Sequence, residues 1–148
     1  MRLYTIGCTK KTLETFITRL RDAGVDAVVD VRLRNTSQLA GFSKRDDLAF
    51  LLREGFGIAY EHRPELAPTA EILAAYKQDG DWRAYERAFL CLLEARAAEQ
   101  VGEQLLATYG RPCLLCAEPT PDQCHRRLVA EYLAEKLPGH EIEIVHLI

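Results

Sequence analysis

The fold is decided by a stretch in which an apolar segment leads through a proline-containing turn into a helix, Leu114-Leu115-Cys116-Ala117-Glu118-Pro119-Thr120-Pro121-Asp122-Gln123-Cys124-His125-Arg126-Arg127. The apolar residues before Ala117 have the composition of a buried strand. Pro119 and Pro121 interrupt that strand, and a new helix is predicted to begin at Cys124. Reactive side chains are therefore gathered at one strand-to-helix connection, where we expect a functional site.

Strand and helix patterns alternate along the rest of the chain. The patterns predict strands over 3–6, 25–31, 57–60, 111–117 and 142–148, and helices over 11–23, 44–54, 71–77, 81–109 and 124–137. We predict that Ser43 caps the second helix, and that Cys91 and Cys113 lie in the core. The alternation favours one α/β domain over 1–148, a Rossmann-like three-layer sandwich with a mostly parallel central sheet.

Composition and charge narrow the class of protein. The chain has 148 residues, of which 48% are hydrophobic and 28% charged, as in soluble globular proteins. A net charge of −3 argues against a general nucleic-acid coat, although it allows a local basic patch. No apolar run approaches the roughly 20 residues of a membrane span, and the first residues resemble a strand more than a signal peptide. Five cysteines, an odd number, favour reduced thiols and a cytoplasmic protein.

Polar and reactive residues follow four of the predicted strands. In open α/β sheets, ligands bind beyond the carboxyl ends of the strands. The residues at those ends include Cys8, Thr9, Arg32, His62 and Glu118. The helix that begins near Cys124 brings three further side chains to the same edge, those of Cys124, His125 and Arg126.

Two arginines suggest an anion site at this edge. Arg126 lies near a predicted helix N-terminus and Arg32 follows a strand, so their guanidinium groups could bind a phosphate or carboxylate. Cys8 and Thr9 would add substrate contacts. The alternative is that both arginines form structural ion pairs with Asp30, Glu118 or Asp122. We expect Asp30 itself to be a structural partner of Arg32 or of a backbone N–H.

Cys124 is a candidate nucleophile, because the neighbouring His125 and Arg126 are of the kind that lower a thiol pKa. The alternative is a small buried residue at the helix start. His125 and His62 are candidate general bases, or else structural histidines. Glu118 is a candidate acid or base, unless it binds backbone N–H groups of its loop.

Known thiol motifs are absent or incomplete. A tyrosine-phosphatase loop needs Arg six positions after its Cys. That position is Asp122 for Cys116 and Ala130 for Cys124, so the loop is absent. A zinc site remains an alternative, since thiolates and imidazoles suit zinc, but the spacing matches no common zinc knuckle. Its ligands would come from Cys8, Cys116, Cys124, His125 and His62. We assign no metal to the predicted site, and the sequence indicates no particular cofactor.

Several segments together resemble the domain-of-unknown-function family 488 of prokaryotic proteins. They are Thr5-Ile6-Gly7, Val29-Asp30-Val31-Arg32, Tyr60-x-His62 with Pro64-Glu65-Leu66, and Cys116-Ala117-Glu118 followed by Cys124-His125-Arg126-Arg127. The resemblance implies a small α/β domain and assigns no reaction. Cys8 departs from a His that many members have, and Ala67 replaces a common Gly. The first change weakens any role based on that His and adds a thiol to the site.

The sequence therefore predicts a cytoplasmic enzyme with an anionic substrate, a nucleotide or a nucleic-acid phosphate. Arg32 and Arg126 would bind the anion, while Glu118, His62 or His125 would transfer protons. The alternative is a non-catalytic module that binds nucleic acid or protein, with or without a structural zinc site. That alternative depends on the basic loop 32–53, whose cations are Arg32, Arg34, Lys44, Arg45 and Arg53.

Overall fold

The centre of the protein is a five-stranded sheet in the computed structural model, which describes residues 1–148. The strands are β1 (Arg2–Gly7), β2 (Ala27–Asp30), β3 (Ala59–His62), β4 (Pro112–Cys116) and β5 (Glu143–Leu147). Their order is β3-β2-β4-β1-β5, and every neighbouring pair is parallel. The predicted α/β sandwich is confirmed, with a sheet that is parallel throughout.

Six helices cover the two faces of this sheet. They are α1 (Leu13–Asp22), α2 (Arg45–Phe50), α3 (Ala70–Asp79), α4 (Trp82–Ala95), α5 (Glu99–Thr108) and α6 (His125–Lys136). Phe16 of α1 and Leu48 of α2 pack in the core on one face, and Phe89 of α4 and Leu133 of α6 pack in the core on the other. None of the helices combines the length and the apolar character that crossing a membrane requires.

The strand order determines where a ligand site is expected on the sheet. The chain runs from β1 outward to β2 and β3, then returns to insert β4 between β2 and β1. As a result, α1 and α6, which follow the adjacent strands β1 and β4, pack on opposite faces of the sheet. Open α/β sheets bind ligands beyond the carboxyl ends of their strands, near such a change of face.

Strand β4 presents its two cysteines to opposite faces. Cys113 and Leu115 belong to the core beneath α1 and α2, whereas Leu114 and Cys116 belong to the core beneath α3 to α6. This alternation follows from the two-residue period of a strand. The prediction that Cys113 is a core residue is confirmed, and Cys116 is brought to the face where α6 begins.

The predicted helical region over 81–109 is not one continuous helix, because α4 and α5 are separate. Ala97 has a φ of 51°, and the N–H of Ala98 donates to the carbonyl of Leu93 at 3.0 Å. Ala98 is fully buried at this turn. No Gly or Pro marks the break, so the helical pattern continues across it in the sequence. Packing against the core, not local sequence, therefore ends α4.

Two further expectations are wrong. Ser43 does not cap α2, because its hydroxyl donates to the carbonyl of Ala40 at 2.8 Å, and Lys44 occupies the cap position without a side-chain bond. Cys91 is exposed on α4 and is not a core residue. The core face of α4 is formed by Tyr85, Phe89 and Leu93.

Candidate functional site

A cavity of about 320 Å³ lies beyond the carboxyl ends of β2 and β4. Its sheet side includes Arg32, Arg34 and Glu118, and the beginning of α6 contributes Cys124 and His125. Helices α3 and α4 form the opposite side. The cavity volume is in the usual range of small-molecule sites. The predicted carboxyl-edge position therefore contains a cavity, and four predicted site residues line it, namely Arg32, Glu118, Cys124 and His125.

Two thiols and one imidazole form a compact cluster in the cavity wall. Cys116 is the last residue of β4, Cys124 precedes α6, and His125 is the first residue of that helix. One ligand atom from each of the three lies within 4.8 Å of the others, and all three residues are buried. This thiol-imidazole cluster brings together residues that a turn separates in sequence.

His125 is held by a backbone carbonyl. Its Nε2 lies 2.5 Å from the carbonyl oxygen of Val31, which can only accept, so Nε2 carries the ring hydrogen. Burial lowers the pKa of His125 and favours the neutral ring. The sulfur of Cys116 lies 3.4 Å from Nδ1 and 3.7 Å from Nε2, beside the ring. The ring of Phe89 contacts the imidazole edge to face, with centroids 5.5 Å apart.

The surroundings of Cys124 differ from the expectation. Its hydrogen bond with Cys116 and its burial raise the pKa of the Cys124 thiol, and the nearby His125 and Arg126 do not offset this. The expected lowering of the thiol pKa is therefore wrong for the protein without a ligand. The guanidinium of Arg126 does donate from Nη1 to the Cys124 sulfur at 3.4 Å.

Arg32 reaches the cavity, but Asp30 already binds its guanidinium. Nε and Nη2 of Arg32 donate to the two carboxylate oxygens at 2.8 and 2.7 Å, and Nη2 also donates to the carbonyl of Ser43. Burial alone would raise the pKa of Asp30, but the hydrogen bonds and charge of Arg32 outweigh it and hold that pKa below its usual range. The structural ion-pair interpretation of Arg32 is confirmed, as is the expected role of Asp30.

Arg126 is fully buried and has no carboxylate partner. Its Nη1 donates to the carbonyl of Glu118 at 2.6 Å and its Nε to the hydroxyl of Thr5 at 3.3 Å, while Nη2 has no hydrogen-bond partner. It does not line the cavity. The alternative in which Arg126 forms an ion pair with Glu118 or Asp122 is therefore wrong. Arg126 binds the loop after β4 through a carbonyl and adds a positive charge behind the thiol-imidazole cluster.

Besides Arg126, three further predicted site residues lie outside the cavity lining. Cys8 belongs to the core on the other face of the sheet, where its sulfur accepts from Nη1 of Arg32 at 3.6 Å. Thr9 donates its hydroxyl to the carbonyl of Ala117 at 2.6 Å. His62 donates from Nε2 to the carbonyl of Arg32 at 2.9 Å. These side chains connect the loops at the carboxyl edge, and neither Cys8 nor His62 belongs to the thiol-imidazole cluster.

The sequence did not indicate that aromatic rings line the cavity. Trp82 and Tyr85 stack with ring centroids 4.9 Å apart, and Tyr76 lies 5.2 Å from Tyr85. All three line the cavity, together with the exposed cations Arg34 and Lys77, neither of which forms an ion pair. The helical period predicted an apolar side for α4. It did not predict what this side packs against, so it could not distinguish side chains in the core from side chains that line the cavity.

Fold and site together define a small parallel α/β domain with a thiol-imidazole cluster in a cavity at its carboxyl edge. The chain belongs to the family described as "Domain of unknown function DUF488", whose model matches residues 12–133. The matched segment contains α1 to α5 and most of α6, and it includes every residue of the cluster. Neither the curated proteins nor the solved structures gave a match.

Proposed function

We propose that the protein is an enzyme that acts on an anionic substrate in this cavity, a nucleotide or the terminal nucleotide of a nucleic acid. The observation that carries the proposal is the joint presence of stacked aromatic rings and unpaired cations around one cavity. Trp82 and Tyr76 line the cavity with aromatic rings, and Arg34 and Lys77 line it with positive charge. Aromatic faces stack on nucleobases, and Arg and Lys bind phosphate oxygens.

The charge balance of the lining favours an anion. Among its charged side chains, Arg32, Arg34 and Lys77 are cationic and Glu118 alone is acidic. The charge of Arg32 is balanced by Asp30, so Arg34 and Lys77 carry the excess. This replaces the Arg32 and Arg126 pair as the proposed anion contacts, because Arg126 lies behind the cavity wall.

The chemistry is proposed to occur at the thiol-imidazole cluster. Cys116, Cys124 and His125 line the same cavity as the rings, and Glu118 adds an exposed acidic residue to the lining. Thiols and an imidazole that converge at the wall of a cavity are a candidate reactive centre. His62 receives less support, because its Nε2 binds a backbone carbonyl.

The second candidate is a nucleic-acid-binding module. The basic loop 32–53 gives this candidate less support than the cavity gives to an enzyme. Of the basic residues in 32–53, Arg32, Arg45 and Arg53 are paired with acidic neighbours. Arg34 and Lys44 form no ion pair, and Arg34 belongs to the cavity. Loop 32–53 therefore has few cations free for phosphate contacts along a strand.

Calorimetric titration with a panel of nucleoside monophosphates tests the proposal. We expect saturable binding that weakens about tenfold for each of Arg34→Ala and Lys77→Ala, since each removes a charge-assisted contact. Arg83→Ala and Arg87→Ala, on exposed positions of α4 outside the cavity, are controls with the same change in charge. Equal binding by all four variants would contradict the proposal, as would no binding to any nucleotide.

A single-stranded oligonucleotide distinguishes the two candidates. An enzyme that binds one terminal nucleotide should show a shallow dependence of affinity on salt. A module that follows the strand should show a steep one, because each phosphate contact releases a counterion. A steep dependence that survives Arg34→Ala and Lys77→Ala would favour the module.

A further inference from the structure

We propose that Cys116, Cys124 and His125 bind a divalent metal ion, best matched by zinc, with one coordination position open to the cavity. Two thiolates and an imidazole form a donor set that zinc prefers. The three ligand atoms are within 4.8 Å of one another, and they come from the end of β4 and the start of α6. The inference deepens the proposed function by assigning a metal to the same cavity.

The cluster is close to the size of a zinc site, with its three ligand atoms within 4.8 Å of one another. Bond lengths of about 2.3 Å to sulfur and about 2.0 Å to nitrogen give tetrahedral edges of about 3.8 Å between sulfurs and about 3.5 Å between sulfur and nitrogen. The observed distance from Cys116 Sγ to His125 Nδ1 is 3.4 Å. The sulfur now lies beside the ring, so metal binding requires a side-chain rotation that points the Nδ1 lone pair at the common centre.

The partners around the cluster are those of a metal site. A ligating histidine usually donates its second ring N–H to a carboxylate or backbone carbonyl, which fixes its tautomer. The carbonyl of Val31 accepts from Nε2 of His125 and leaves Nδ1 as the free donor atom. Arg126 donates from Nη1 to the sulfur of Cys124, a contact that stabilises a thiolate. Val31 and Arg126 therefore each contact one proposed ligand from outside the cluster, and the ring of His125 still has to turn its Nδ1 lone pair toward the common centre.

Arg126 also explains what the fourth ligand should be. A divalent cation with two thiolates is neutral, and the buried guanidinium of Arg126 has no carboxylate partner, so the centre would carry about one positive charge. Its fourth ligand is therefore an anionic oxygen, either hydroxide or a substrate oxygen. Structural zinc sites have four protein ligands, whereas catalytic sites have three and an open position. Since Cys8 and His62 lie outside the cluster, this site belongs to the open kind.

Metal content and cobalt spectra of the full chain test the inference without any substrate. After dialysis against zinc and then buffer, we expect about one zinc per chain by elemental analysis. Cobalt bound in place of zinc should give the sulfur-to-metal charge-transfer absorption of a thiolate centre. Cys116→Ser and Cys124→Ser should abolish both signals, and Cys91→Ser, which changes the exposed cysteine of α4, should leave both unchanged.

Far less than one zinc in the wild-type chain would overturn the inference, as would equal loss of metal in all three variants. If Cys116→Ser or Cys124→Ser fails to fold, the wild-type chain alone decides. Zinc added to metal-free protein should raise its Tm by several degrees, because a ligand that binds only the folded state stabilises it. An unchanged Tm would contradict the proposal. Because nucleotide binding is measured separately, either result leaves the proposed function to its own test.

Discussion

Asp30 and Arg32 organise the site although neither is proposed to react. The carboxylate accepts from two guanidinium nitrogens, from the backbone N–H of Arg32 at 3.0 Å and from Asn35 Nδ2 at 3.1 Å. Both charges are almost completely buried. A buried pair contributes little net stability compared with apolar residues, but removing one partner leaves the other charge uncompensated. The pair therefore fixes the loop after β2 in one conformation.

Asp30→Asn tests this role. We expect a loss of about 3–5 kcal/mol in the free energy of unfolding, measured by urea denaturation, because Arg32 would remain buried without a counter-charge. Asp46→Asn removes the carboxylate of the exposed pair with Arg45 and should cost less than about 1 kcal/mol. Similar values for the two variants would show that the buried pair has no special role.

Acid stability provides an independent test of the same carboxylate. The pKa of Asp30 is lower in the folded protein than in the unfolded chain, so its contribution is fully present above pH about 4. That contribution is lost as the pH falls through the folded pKa, because the proton then binds the unfolded chain more tightly. Urea unfolding across this range should show a smaller acid-dependent loss for Asp30→Asn than for the wild type. A slope unchanged by the substitution would contradict this.

At the residue scale, the sequence indicated some partners and not others. Asp30 and Arg32 are two positions apart in the chain, so their pairing was predictable from local spacing. The partner of Arg126 was not, because it is a backbone carbonyl in the folded turn and not an acidic side chain. The sequence indicates Cys116 only as one of the alternative zinc ligands, since the contact between Cys116 and His125 depends on how the turn closes.

At the scale of elements, the end of β1 and the loop after β4 approach each other closely. A Cβ on Gly7 would lie 1.7 Å from the carbonyl oxygen of Glu118 and 3.2 Å from Nη1 of Arg126. Position 7 therefore requires glycine because there is no room for a Cβ, and not because of its backbone φ. The contact holds the Glu118 carbonyl where Arg126 binds it.

Gly7→Ala should therefore displace this loop. We expect a loss of about 3 kcal/mol in the free energy of unfolding, because a backbone atom and not a flexible side chain must move. Gly139→Ala is the matched control, since no atom lies within 4 Å of the added carbon, and its effect should stay within about 0.5 kcal/mol. Equal effects in thermal or urea unfolding would show that the close approach is not needed.

Element boundaries were predictable where local chemistry sets them. Asp81 begins α4 by accepting from the N–H of Ala84, as its residue type suggested. The break between α4 and α5 at Ala97 was not predictable, because no local signal marks it and the packing of Ala98 decides it. The cavity rings were missed for the same reason, since the packing of α3 against α4 is a tertiary contact.

At the scale of the whole molecule, both cores share the central sheet. Residues of β4 alternate between the core beneath α1 and α2 and the core beneath α3 to α6. Neither core can form without this strand, so the chain should unfold as one unit, as expected for a single domain over 1–148.

Two probes of urea unfolding test this cooperativity. Trp82, the only tryptophan, reports on the α3 and α4 side, and far-UV circular dichroism reports on all elements. We expect coincident transitions from the two probes. An earlier fluorescence transition would show that the cavity side unfolds separately and would contradict the single-domain prediction.

The central claim is that the cavity binds an anionic nucleotide, and Trp82 allows its most direct test. Titration of the wild-type chain with nucleoside monophosphates, followed by tryptophan fluorescence, should give saturable quenching, because the indole lines the cavity and stacks with Tyr85. The corresponding nucleosides without phosphate should bind about tenfold or more weakly, since they lack the contacts with Arg34 and Lys77. Quenching that is linear with concentration, and equal for nucleosides and nucleotides, would contradict the account.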